Sequence, residues 1–328
     1  MPLHMTRRTA ICGLAGSLSA IAGRPARAAD KLRVGKAVAE VFGYVPLDVG
    51  LKAGIFEKNG LEIEEINFAG GAKMAQAVVA GAVDISLSSG PEMVLVAKGV
   101  PEIAVASITH SPAFMAIVVG PQFTGNGADA LKGKKIGITT AGSLTQWIVD
   151  ALNKTKGWTG DERAVAVPIG GSPTAVFAAL KVGQIDADVG GPPTGFELEE
   201  RHEGRLLIAC SAYLDAIELF TIFASNRVIE TNPDAVRRFL KGWYESVAFM
   251  KAHKAESVDV AAAATGFSVN AVSRTYDSVV SGFSTDGKFE PDAIATLRAS
   301  FVDLKLLPDP IDMTKLYTER FLPKGSST

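Results

Sequence analysis

The chain has 328 residues, enough for about two domains at ~150 residues each, with 47% hydrophobic and 21% charged side chains. That balance is ordinary for a globular protein and excludes a disordered chain or a coiled coil. The formal net charge is −2, but residues 1–28 hold four arginines and no acid, leaving 29 basic against 35 acidic side chains in the rest. A body of that sign gives no long-range attraction to nucleic acid or to an anionic lipid surface, and neither is expected as a partner.

Residues 1–28 read as an export signal. Arg7 and Arg8 precede a small apolar run over 9–22, and Ala26-Arg27-Ala28 supplies a small-residue cleavage pattern. The paired arginines after Thr6 resemble twin-arginine signals, with ordinary secretion as the alternative. The run is too short to span a membrane, and no later stretch reaches ~18 consecutive apolar residues. Ile11 before Cys12 does not suit lipid attachment. A monomeric periplasmic protein of a Gram-negative bacterium is therefore expected, with no direct membrane insertion. After cleavage one cysteine remains, Cys210, behind the apolar run 206–209. It reads as a buried strand-end thiol, and no Cys/His cluster suggests zinc. No metal and no cofactor are expected.

Past the signal, apolar runs alternate with helical periodicity, which predicts an α/β protein with largely parallel sheets. The strand candidates are 31–35, 61–68, 83–87, 102–108, 114–119, 135–139, 163–168, 185–189, 206–210 and 219–224. From Asn232 onward helical spacing dominates, with Thr231 or Asn232 as the first cap, so the C-terminal region is predicted to be mostly helical. An internal similarity organises the rest. Gly70-Gly71, a helical stretch and Gly81-Ala82-Val83-Asp84 recur about one hundred residues later as Gly170-Gly171, a helical stretch and Gly183-Gln184-Ile185-Asp186. The repeat suggests two lobes built alike.

The turns after the strands carry helix-start signals. Val45-Pro46, Gly90-Pro91, Ser172-Pro173 and Gly191-Pro192-Pro193 place proline in a first turn, and Ser143 with Gln146 has the spacing of a capping box. In parallel α/β sheets such turns share the carboxyl edge, where open sheets bind ligands. Helix starts and hydroxyls suit a dehydrated anion, so Gly71, Ser88, Ser89, Thr139, Thr140, Ser143, Ser172 and Gly191 are candidate ligand contacts. Phe42 and Tyr44 are candidates for an aromatic wall, and Thr109 and His110 sit in a turn just after an apolar strand. His202 and His253 read as solvated, as do Lys36 and Lys73. Glu40 and Glu218 near strand ends would favour an amine, and no arginine stands where it could clamp a carboxylate. The sequence has no G-x-G-x-x-G, P-loop, G-x-S-x-G or H-E-x-x-H pattern.

The order Arg33-Val34-Gly35, Gly54-Ile55-Phe56-Glu57-Lys58-Asn59-Gly60-Leu61, Gly70-Gly71, Gly81-Ala82-Val83-Asp84 and Leu131-Lys132-Gly133-Lys134-Lys135-Ile136-Gly137 resembles the substrate-binding proteins of ABC importers in the nitrate/sulfonate/taurine group, which share their fold with thiamine-precursor proteins. The resemblance spans residues 31 to about 300. It implies a type II-like, two-lobed periplasmic binding protein with hinge crossings near 114–120 and 219–224. Lobe 1 would combine 29–118 with 222–328, and lobe 2 would be 119–221. It also implies a receptor that delivers a small anionic or zwitterionic molecule to an ABC permease and performs no catalysis. The alternative it leaves open is an enzyme of the same fold acting on a thiamine-pyrimidine or menaquinone precursor. The pyrimidine-forming type would need a cysteine-rich segment, which a chain with Cys210 alone lacks.

Overall fold

The computed structural model describes residues 29–323; the export signal expected over 1–28 lies outside them. Ten strands form, one for each predicted run: β1 (Asp30–Lys36), β2 (Leu61–Asn67), β3 (Ile85–Ser89), β4 (Glu102–Thr109), β5 (Ala116–Val119), β6 (Lys135–Ile138), β7 (Val165–Pro168), β8 (Ala187–Gly190), β9 (Arg205–Ala209) and β10 (Phe220–Ser225). They build two five-stranded sheets, ordered β2-β1-β3-β10-β4 and β7-β6-β8-β5-β9. The orders match: each sheet has a parallel trio, then a strand that runs antiparallel to both neighbours, then an edge strand. Sheets expected from the sequence to be largely parallel are thus mixed. β5 and β10 are the reversed strands, and every residue in both is buried, as expected of strands covered on both faces.

The repeated Gly-x-Val/Ile-Asp step has the same local role in both sheets. Asp84 accepts the Arg33 backbone N–H (2.9 Å), and Asp186 accepts that of Lys135 (2.8 Å). Each carboxylate therefore ties its own strand to the start of the parallel neighbour. Asp84 also pairs with the guanidinium groups of Arg33 and Arg227. Lys36, expected to be solvated, is 1% exposed and paired with Asp48 (2.7 Å) and Glu65 (3.1 Å). Two carboxylates make the burial of that ammonium tolerable.

The C-terminal region is helical, as predicted. Asn232 caps the helix Pro233–Ala252 by accepting the Ala235 N–H. That helix packs on Val45–Lys52 and Ile55–Lys58, with Phe56 stacked on Phe239 at 5.4 Å and Trp243 fully buried beside it. Burying such aromatic side chains is worth roughly 1.5–3 kcal/mol each. The tail then runs along the otherwise open edge of β4, through Ala104 N–H to Leu316 O and Ser107 N–H to Gly287 O.

The chain passes between the sheets in segments 110–115 and 210–219; the ranges expected for the crossings, 114–120 and 219–224, are mostly occupied by β5 and β10 themselves. Contacts outside these two segments also join the two halves. The helix Val269–Val279 packs on Pro192–Glu200, where Arg274 lies 3.9 Å from the centre of the Phe196 ring and 2.7 Å from the Glu199 carboxylate. On the opposite flank the Trp147 indole N–H donates to Ser300 in the helix Pro291–Asp303.

Candidate functional site

A cavity of about 70 Å³, open to solvent at its mouth, lies where the strand-end turns of the two sheets meet. Of the candidate residues, Phe42, Tyr44, Gly71 and Ser89 line it from the first sheet's side. Thr139, Ser143 and Gly191 line it from the second. The two sides touch directly, because the Ala72 N–H lies 3.4 Å from Ser143 Oγ.

The other candidates fall outside the lining. Ser88 is buried, its hydroxyl donating to Glu92 and its carbonyl accepting from Tyr44 OH at 3.0 Å. The Thr109 hydroxyl donates to Gly282 O (2.7 Å) and accepts the Ser111 N–H, a turn function. His110 contributes its carbonyl to Ile217 N–H and no side-chain contact to the cavity. Thr140 pairs with Ser143 at 2.7 Å. Ser172 is a helix cap that accepts the Ala175 N–H, although its neighbours Gly171 and Pro173 do reach the lining. Ser143 shows no cap of its own helix, Leu144–Lys156; Gln146 accepts from Gly142 N–H instead, so the expected capping box does not form. Glu218 is fully buried away from the cavity, with the Thr221 hydroxyl donating to it. Burial pushes its carboxyl up to about 8, against the hydrogen bond from Thr221.

Two buried carboxyl groups absent from the sequence candidates dominate the lining. Glu92 accepts from the Ser89 backbone N–H (3.0 Å), the Ser89 hydroxyl (3.1 Å) and the Ser88 hydroxyl. Its other oxygen sits over Gly71, the first residue of the helix Gly71–Val79, so closely that a Cβ there would lie 1.7 Å from it. The Leu144 N–H, at the start of the helix on the other side, also favours the charged form of this carboxylate. Burial raises the Glu92 carboxyl, and the Ser88, Ser89 and Leu144 donors counter it. One carboxylate therefore answers the helix starts from both sides of the cleft. The Ser-x-x-Glu spacing of Ser89 and Glu92 is a capping-box signal and could have flagged it.

Asp188, in the middle of the apolar strand β8, is the second. It is 3% exposed, lines the cavity and makes no hydrogen bond or ion pair with the described residues. Burial alone pushes its carboxyl up to about 8. Room for it comes from Gly137, opposite it in β6, where a Cβ would lie 2.5 Å from Asp188 Oδ1. A lone acid inside an apolar strand was the available signal. Glu40 adds a third acidic residue to the lining, and none of the lining residues is basic. Cys210 is buried against Tyr213 and away from the cavity, its thiol pushed up to about 12 by burial.

Two like sheets that share one cavity at their strand ends make this the fold of periplasmic binding proteins, and solved structures agree. The alkanesulfonate-binding protein SsuA of Xanthomonas axonopodis pv. citri, bound to MOPS, superposes with a TM-score of 0.69 at 20% identity, covering 88% of this chain and 96% of that one. The periplasmic nitrate-binding protein NrtA of Synechocystis PCC 6803 gives 0.70 at 14% identity, covering 89% and 86%. The chain belongs to the NMT1/THI5-like family, whose model matches residues 42–257. A relative in Brucella abortus (strain 2308), named as a binding protein, is 28% identical over 233 residues, 70% of each chain. No helix among the described residues is long and apolar enough to cross a membrane.

Proposed function

We propose that the mature chain is the solute receptor of an ABC importer, an exported periplasmic protein that captures a small molecule between two lobes and hands it to a membrane permease without transforming it. The observation that carries this reading is the shared cavity, lined from both sheets and closed by contacts from both. A ligand bridging such a cleft stabilises the closed form through contacts it lacks in the open one. In this reading the two lobes follow the two sheets, joined by the segments 110–115 and 210–219. The enzyme reading finds its one cysteine buried, away from the cavity and with a thiol near 12, which does not suit a nucleophile.

The test is a thermal-shift screen of the mature protein, then calorimetry and small-angle scattering with each compound that binds. The expected result is one site per chain and a smaller radius of gyration on saturation. Steady conversion of a bound compound, or tight binding with no change in radius, would count against a two-lobed receptor.

A further inference from the structure

We propose that the cavity takes a compact organic cation, with an amine, amidine or guanidine head seated on Asp188 and its body against the aromatic lining; this rests on the receptor reading above. The place an anion would occupy is already filled. Glu92 puts a carboxylate over the start of the helix Gly71–Val79 and onto the Leu144 N–H, so the protein itself supplies the negative group that two helix starts attract. At the helix Pro173–Lys181, Ser172 accepts the Ala175 N–H through its hydroxyl and the Val176 N–H through its carbonyl. The helix Pro192–Glu200, next to Asp188, opens with two prolines that have no N–H, and its first available one, on Thr194, is bound to Gly191 O. An incoming anion thus meets three acidic residues and no basic side chain.

Asp188 presents the opposite chemistry. It is nine-tenths buried, faces the cavity and has no partner among the described residues. A buried carboxylate of that kind gains most from a cation that brings its own hydrogen-bond donors. Phe42, Phe114, Phe220 and Phe267 also line the cavity, and aromatic faces attract cations. The charged groups on the elements around Asp188 are engaged elsewhere. Lys135 lies at the far end of β6, while Asp150, Lys154, Lys156 and Lys181 pair with Arg163, Asp303, Asp129 and Glu203. Glu92 and Glu40 are the other acids of the lining. Asp188, raised to about 8 by burial, is protonated in the empty cavity at pH 6. A cation must displace that proton, so its affinity rises with pH up to about 8. An anion accepting from the protonated carboxyl would show the reverse.

The experiment uses benzamidine, benzoate and benzenesulfonate, one ring with three head groups, titrated into the mature protein by calorimetry from pH 6 to pH 8. Benzamidine is expected to bind at least tenfold more tightly than either anion at pH 8, with affinity rising by up to tenfold per pH unit below that. Asp188→Asn should lose about 30-fold of benzamidine affinity and the pH dependence, while its melting temperature at pH 6 stays near that of the wild type. Preference for either anion, absence of benzamidine binding, or full benzamidine affinity in Asp188→Asn overturns the proposal. The three probes are compared on the wild type, so the order of their affinities decides the matter even if the variant fails to fold. An anion that binds and shrinks the scattering radius removes the cation assignment and leaves the receptor reading in place. Failure of these probes and of every compound in the wider screen removes both.

Discussion

Glu218 offers the sharpest separation of a structural carboxyl from a ligand-binding one. It is fully buried, and its carboxyl sits at about 8, well above the ordinary 4.5. Between those values the folded state binds a proton that the unfolded chain has released, so stability is greatest below about pH 4 and is lost as pH rises towards 8. From pH 5 to pH 8.5 this one group accounts for at most ~4 kcal/mol of lost stability at ~1.4 kcal/mol per pKa unit. Asp188, at about 8, and Glu102, at about 7, act in the same direction, so the wild type should weaken by more than the Glu218 share. Glu218→Gln keeps the shape and removes the titration. Urea unfolding followed by tryptophan fluorescence, at half-unit steps from pH 5 to pH 8.5, should show a flatter decline for the variant and a gain over the wild type at the alkaline end. Affinity for any ligand should be unchanged, because Glu218 does not reach the cavity. A variant whose decline parallels that of the wild type, or a wild type that gains stability with rising pH, would refute the reasoning.

Ser172→Ala should cost ~1 kcal/mol of stability through the lost cap and leave binding intact, because Ser172 caps its helix and is absent from the lining. Ser143→Ala should do the converse, with a small change in melting temperature and affinity weaker by ~1 kcal/mol, since its hydroxyl faces the Ala72 N–H across the cleft; melting curves beside calorimetry check both. Gly137→Ala would bring a methyl group 2.5 Å from Asp188 Oδ1 and 2.7 Å from Ile185. It should cost ~1–3 kcal/mol by overpacking, and unfolding of Gly137→Ala, Asp188→Ala and the double variant should show losses that fail to add. Cys210 should resist alkylation at pH 8 until the protein is unfolded, as mass spectrometry with iodoacetamide would show, because its thiol is buried and near 12.

Apolar runs and short-range caps are legible in the sequence. All ten strands are visible because each is an apolar or alternating run between turn residues, and the Asn232 and Ser172 caps because a cap reaches only three residues along the chain. Strand direction is not visible in β5 and β10, whose residues are buried throughout, so their composition is that of any covered strand. Lys36 reads as solvated because its partners, Asp48 and Glu65, are distant in sequence. Ser143 has cap spacing, but Thr140 and the Ala72 N–H draw its hydroxyl away from the helix it precedes.

The same division runs through Glu92. Its local half, a carboxylate closing on the Ser89 backbone three residues earlier, follows from the motif Ser89-Gly90-Pro91-Glu92. Its remote half does not, because Gly71 and Leu144 lie 21 and 52 residues away and come together at Glu92 only after both sheets have formed. That remote half decides the electrostatics of the cleft. Helix starts read one at a time predict an anion site, whereas helix starts that already share a buried carboxylate do not. Once Glu92 has taken them, the buried acid in the lining without a partner among the described residues is Asp188. The cation preference proposed for the cavity therefore rests on a pairing across the cleft that neither half of the chain encodes alone.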